Sequence, residues 1–196
     1  MKLIITSLIA LISFTAFSST SVIEKVQTKF NSLNDFQSEF VQTSNNKIGL
    51  KGKFYFRKKN NYRIELKNNT IISDGTTIWN YDKKRNRVII SNIEDDPLAF
   101  SLREYLFNYP PKCDITASTV NTNNKIITLK PKTKDLNFKE AKIWVTKDYL
   151  VEKIKVEDFN GSSFSFKFNN IQVNKKLSSK LFQFSNNMDA KIIDLR

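Results

Sequence analysis

Phe54 and Phe56 fall on one side of an extended run, with Lys53, Tyr55 and Arg57 on the other. Phe164, Phe166 and Phe168 repeat the pattern against Ser165, Lys167 and Asn169. A period of two is the mark of a β-strand that buries one face. Read this way, the chain predicts strands at 48–57, 61–67, 70–74, 77–82 and 86–92. More follow at 113–120, 125–130, 138–145, 151–159 and 162–172, with last apolar stretches at 181–184 and 192–193. Phe36, Ser38, Phe40 and Gln42 alternate as a first strand, although a further helical turn is the alternative there.

Two segments break the period of two. Ser21-Val22-Ile23-Glu24 has the capping-box spacing, with Ser21 as N-cap and Glu24 at N3. Val22, Val26, Phe30 and Leu33 then recur at helical spacing, which predicts an amphipathic helix to about Leu33. Asp95-Asp96-Pro97 reads as a cap followed by proline at the first helical position. It opens a helix to about Phe107, with Leu98, Leu102, Tyr105 and Leu106 as its stripe, ending before Pro110-Pro111. With only four Gly and four Pro in the chain, asparagine must do much of the turning, and it tolerates positive φ well. Asn45-Asn46, Asn60-Asn61, Asn68-Asn69, Asn123-Asn124 and Asn186-Asn187 all sit near expected strand ends. Asp74-Gly75 and Asn160-Gly161 are turn signals, the latter the clearest hairpin. The expected architecture is mainly β: one antiparallel sheet of ten or more strands, two short helices and no domain boundary over 19–196. Sheets that large curl toward a barrel.

Lys2, an apolar run over 3–17 and Ala16-Phe17-Ser18 have the three parts of a secretory signal peptide, cut after Ser18. No later run is apolar for long enough to cross a bilayer, so the expected compartment is the periplasm of a Gram-negative cell or the outside of the cell. Cys113 is the single cysteine, which excludes an internal disulfide. The net charge of +13 invites a nucleic-acid reading, but export and the scatter of lysines along every strand argue against it. Attraction to anionic lipid headgroups or to an acidic partner protein is the milder reading. Histidine is absent, and with it the usual general base and zinc ligand. No nucleophile elbow or phosphate loop replaces it, and Glu94-Asp95-Asp96 reads as a solvated helix entry. The expectation is a protein without catalysis, metal or cofactor.

Sixteen phenylalanines, mostly at alternating positions, could simply fill the inside of a curled sheet. A sheet of this size also encloses more volume than its own side chains need, so it often holds a ligand or a packed helix. The two helices are suited to act as plug or lid, and an apolar hollow beneath them suits acyl chains.

Several local motifs now become informative by their order and spacing. They are Asp35-Phe36-x-x-x-Phe40-x-Gln42, Gly52-x-Phe54-x-Phe56-Arg57-Lys58, Tyr62-Arg63, Ser73-Asp74-Gly75-x-Thr77-Ile78-Trp79-x-Tyr81 and Leu129-x-Pro131-Lys132. Phe182-x-Phe184, Asp189 and Ile192-Ile193-Asp194 close the series. Over essentially the whole length after the signal peptide, the chain resembles the LolA family of periplasmic lipoprotein carriers. The resemblance implies an unclosed antiparallel β-barrel, a half-barrel, with a helical lid over an apolar cavity. It also implies a function: taking acylated lipoproteins from an inner-membrane ABC transporter and delivering them to the outer membrane, where an acceptor receives them in some cases. On that reading Val26, Phe30, Phe54, Phe56, Tyr62, Ile64, Phe164, Phe166 and Phe168 would line the cavity, with Leu98 and Leu102 facing it from the lid. The family's lid-latching arginine is matched by Lys58, with Arg57 beside it, so either could serve as latch. A monomer is expected. The alternative is a periplasmic module on the same fold that senses a glycolipid or a misplaced lipoprotein; an exported hydrolase of an acidic polymer has only the basic charge in its favour.

Overall fold

The structure, a computed structural model, describes residues 19–58, 61–93, 102–121, 124–185 and 189–196. The expected signal peptide, Leu98 and the Asp95-Asp96-Pro97 helix start lie outside these residues. The first element is α1 (Ser19–Ser32), so Ser21 is already inside the helix and is not its N-cap.

Six strands follow as a meander: β1 (Asp35–Ser44), β2 (Lys47–Arg57), β3 (Asn61–Leu66), β4 (Asn69–Ser73), β5 (Thr77–Asp82) and β6 (Arg87–Asn92). A second meander runs through β7 (Cys113–Thr119), β8 (Lys125–Pro131), β9 (Glu140–Val145), β10 (Val151–Glu157) and β11 (Ser163–Val173). The last strand, β12 (Lys191–Asp194), is short. All twelve form one sheet in the order β12-β6-β5-β4-β3-β2-β1-β11-β10-β9-β8-β7. Each pairing is antiparallel except that of β12 with β6, which is parallel. The long pairing of β1 with β11 joins the two meanders. β6 and β7 follow one another in the chain yet stand near opposite ends of the ladder, so the sheet is open.

Turn chemistry explains how so few glycines suffice. Asn45 (φ 47°) and Asn46 (φ 64°) form the two-residue link between Ser44 and Lys47, and both are left-handed, as a type I′ hairpin requires. Asp74 Oδ1 accepts from the backbone N–H of Thr76 and Thr77, each at 2.9 Å, while Gly75 takes φ 99°. Asp158 Oδ1 does the same for Asn160 and Ser162 around Gly161.

Register decides the faces. Phe36 pairs with Phe56, and Phe56 with Tyr62; Phe54 pairs with Ile64, and Phe40 with both Gly52 and Phe168. Phe166 pairs with Ile154, and Ile154 with Ile143. These side chains therefore share the concave face, where α1 packs against β7 and β8 through Val22, Ile23 and Val26. The helical turn Glu104–Asn108 also lies against α1. It is wider than an α-helix: the Tyr109 N–H donates to the Glu104 carbonyl five residues back, at 2.8 Å. It ends at Asn108, before the prolines as expected, and Pro110–Lys112 form a separate 3-10 turn that leads into β7.

The convex face has its own covering. Downstream of β11 the chain turns at Asn174 and Lys176, both left-handed, and the 3-10 turn Ser179–Phe182 then packs behind β2 and β3. Asp35 holds this crossing in place. Its buried carboxylate accepts from the N–H groups of Lys175 (2.7 Å), Lys176 (2.8 Å) and Leu177 (3.2 Å). Buried hydrogen bonds to a charged acceptor are worth more than neutral ones, and removing the acceptor strands its donors. Asp35→Ala is expected to lose about 3 kcal/mol of stability, read as a lower midpoint in urea unfolding. Asp35→Asn, which keeps one acceptor, should lose less.

Candidate functional site

The concave face is built from both meanders and α1. Phe30 of α1 is the meeting point, with its ring 5.4 Å from Phe56 of β2 and 5.8 Å from Phe107 of the wide turn. Deeper in, Phe36, Phe54 and Phe168 form a triangle of rings at 5.8–5.9 Å. Phe164 and Phe166 stand edge to face at 6.0 Å on β11. Tyr62 and Ile64, whose face depended on strand parity across the Asn60-Asn61 turn, lie on this same face opposite Phe56 and Phe54.

Burial divides the candidate residues into two groups. Val26 (1 % exposed) and Phe168 (4 %) are sealed in the core and serve as foundation. Phe30, Phe54, Phe56, Tyr62, Ile64, Leu102, Phe164 and Phe166 are only half-buried. They form an apolar surface that the protein's own side chains do not cover completely. Such a surface gains free energy from any hydrocarbon laid on it, about 25 cal/mol per Å² removed from water.

The wide turn is anchored at one end. Tyr105, Tyr109 and Phe138 form a second ring cluster, with centroids 5.0–5.9 Å apart. Burial raises the Tyr105 hydroxyl pKa well above its ordinary value, with Tyr109 and Glu104 adding to the effect. The Tyr109 hydroxyl is also raised, by burial and then by Glu104. Both stay uncharged at any pH the protein meets, as an apolar anchor requires. Cys113 is buried beside them, its thiol pKa raised by burial and Asp114 against a smaller opposing effect of Lys132. That is an inert, structural cysteine.

The two latch candidates are placed differently from one another. Arg57 alternates out of the concave face, and its guanidinium lies 5.0 Å from the ring centroid of Phe182 on the convex side. Among the described residues it makes no contact with the wide turn. Lys58 is exposed just past β2, its backbone N–H bonded to the Asn34 carbonyl. A residue not anticipated does bridge α1 and the wide turn: Gln27 Nε2 donates to the Leu106 carbonyl at 2.6 Å. Gln27 follows Ile23 by four, so a polar residue within an apolar helical stripe was the signal for it. Gln27→Ala is expected to leave the fold intact while speeding amide exchange of the 104–109 turn about fivefold, the effect of one lost hydrogen bond of about 1 kcal/mol.

The family model described as "Outer membrane lipoprotein carrier protein LolA" matches residues 31–185. The chain belongs to the LolA family. Relatives named outer-membrane lipoprotein carrier protein extend the match to nearly full length. The one from Actinobacillus pleuropneumoniae serotype 3 is 27 % identical, over 95 % of this chain and 91 % of its own. The one from Haemophilus ducreyi is 25 % identical, over 100 % and 95 %. Among solved structures, an uncharacterized conserved protein from Thermus thermophilus superposes with a TM-score of 0.62. It is 12 % identical and the match covers 90 % of this chain and 99 % of that one, a likeness of fold. The unclosed, mainly β architecture expected for the family is the one observed.

Proposed function

We propose that this protein is a periplasmic chaperone that shields lipoprotein acyl chains on its concave face and carries them from the inner to the outer membrane. The observation that carries the reading is the half-buried apolar surface drawn from α1, β2, β3, β11 and the wide turn. Membership of a lipoprotein-carrier family supports it. The energetics have the right scale. Each methylene hidden from water is worth about 0.8 kcal/mol, so one acyl chain exposed in the periplasm would cost on the order of 10 kcal/mol. A carrier has to return most of that and still let go.

No chemical step is needed for this work. The chain's residues bind, exclude water and release. Phe30, Phe54, Phe56, Tyr62, Ile64, Phe164 and Phe166 are the proposed contacts, with Leu102, and Leu98 outside the described residues, facing them from the lid. Val26 and Phe168 support them from beneath. Gln27 joins Lys58 as a proposed latch residue, while Arg57 is engaged with the C-terminal crossing. The proposed cycle begins with removal of residues 1–18 by signal peptidase. Cargo is then received from an inner-membrane ABC transporter by a monomeric carrier, and an outer-membrane acceptor, where one exists, takes it onward.

The experiment is release from spheroplasts. Adding the purified protein should bring an outer-membrane lipoprotein into the soluble fraction in a one-to-one complex. If the lipoprotein stays with the membrane at every concentration of added protein, the carrier reading fails.

A further inference from the structure

The convex face carries a second site, separate from the aromatic concavity. A cleft of about 620 Å³ opens between the backs of β2–β5 and the stretch containing Gln183, Phe184 and Ser185. Its floor is apolar: Ile72 is buried, Tyr81 is half-buried, and Phe184 is held in place by stacking on Trp79 at 6.2 Å and 10°. Its rim is basic, carrying Lys51, Lys53, Lys67 and Lys83 together with Arg63.

Of these charges only that of Arg63 joins an ion pair among the described residues. Arg63 is engaged by Glu65 at 2.7 Å, and its second nitrogen donates to the Leu181 carbonyl. Among the described residues Glu65 is the one acid that lines the cleft. Lys83 Nζ donates to the Leu66 carbonyl at 3.1 Å and, among the described residues, joins no ion pair. Lys51, Lys53 and Lys67 are exposed, and among the described residues none of them joins an ion pair. Four cations around one concave opening raise the local potential, and a walled cleft concentrates that field more than a flat surface does.

An inorganic anion would meet the rim and leave the floor wet. A neutral hydrocarbon would meet the floor and leave the lysines unpaired. Both parts are satisfied by one molecule in which an anionic group is joined directly to carbon. We propose that this cleft binds the headgroup of an anionic phospholipid. The lysines take the phosphate and its neighbouring oxygens, and Ile72, Tyr81 and Phe184 cover the adjoining carbon backbone. Docked this way, the protein approaches a negatively charged membrane surface by its convex side, and the approach weakens with salt. The inference stands independently of acyl binding on the other face.

The test is a titration of the isotope-labelled protein with dihexanoyl phosphatidylglycerol, followed by amide resonances. Dihexanoyl phosphatidylcholine, inorganic phosphate and a hexaglutamate peptide are titrated in parallel. The choline lipid has the same chains and so controls for binding on the concave face. Saturable shifts are expected in 51–53, 63–72, 81–83 and 183–185, with each of the other three ligands about tenfold weaker there. K53E/K67E, at two exposed positions, should lose that binding about tenfold or more, and the charge-neutral K53Q/K67Q should fall between. Equal binding of phosphate or of hexaglutamate at these residues overturns the lipid assignment. Shifts confined to the concave face, or a K53E/K67E protein that binds as before, overturn the site itself. Retained lipoprotein release by K53E/K67E would show that such a failure belongs to the cleft and not to the carrier.

Discussion

Phe166→Glu yields a folded protein that no longer holds acylated cargo. Phe166 is half-buried on β11, beside Phe164 and opposite Ile154, so a carboxylate placed there still reaches water while the concavity is empty. Folding therefore costs little. Once hydrocarbon covers the face, the carboxylate must either lose its water or take up a proton, and either costs several kcal/mol. A loss of about 3 kcal/mol corresponds to roughly a hundredfold weaker binding. Calorimetric titration with an acylated lipopeptide measures it, with circular dichroism confirming the fold. Phe168→Glu makes the contrast, because Phe168 is 4 % exposed and the charge would have no route to solvent. That variant is expected to unfold. Normal cargo affinity in a folded Phe166→Glu protein would mean that the acyl chain lies elsewhere.

Gly52→Ala is the second large effect, and it acts on stability alone. A Cβ at this position would stand 2.2 Å from the Glu65 carbonyl oxygen and 3.0 Å from the edge of the Phe40 ring. The first contact is with backbone on the paired strand, and neither side can rotate away. β2 and β3 must part locally, weakening the pairing that presents Phe54 and Phe56 against Ile64 and Tyr62. A cost of about 3 kcal/mol is expected, or roughly 6–12 °C in Tm for a domain of this size. Gly49→Ala is the control: its Cβ would sit 3.7 Å from the Gln42 carbonyl, an ordinary contact, and stability should barely move.

Much of the sheet was legible because its physics is local. Alternation fixes which residues share a face of one strand, and the Asn45-Asn46, Asp74-Gly75 and Asn160-Gly161 turns fix where the next begins. Phe54 and Phe56 could therefore be placed on one side of their strand, and Phe164 and Phe166 on one side of theirs, without a structure. What was not legible depends on elements that meet across long separations. Alternation shows that Arg57 faces away from Phe56, but only the C-terminal crossing reveals that Phe182 waits there. Asp35 stands just before the alternation that begins at Phe36, while its work is done 140 residues later on the N–H of Lys175. The Asn174 and Lys176 turns that present those donors rest on left-handed backbone, which lysine does not announce. Ser21 at the N-cap was a local rule overruled by a helix that already includes Ser19. The stop read at Pro110-Pro111 holds, since the wide turn ends at Asn108; not legible was the separate 3-10 turn that the prolines themselves form, where proline's fixed φ is no obstacle.

The convex cleft and the concave face divide the molecule's surface chemistry cleanly. The half-buried aromatics of the concave face lie on one side of the strands, and the lysines of the cleft lie on the other. Alternation makes this simple to build, since Phe54 and Phe56 of β2 point inward while their neighbours Lys53 and Arg57 point outward.

The most direct measurement uses a lipopeptide with a nitroxide at the end of its acyl chain, bound to the isotope-labelled protein. Signal broadening should centre on Phe54, Phe56, Ile64, Leu102, Phe164 and Phe166, leaving Trp79 and Phe184 sharp. Broadening spread over the outer surface, or absent at saturating ligand, would contradict a hydrocarbon site between the two meanders.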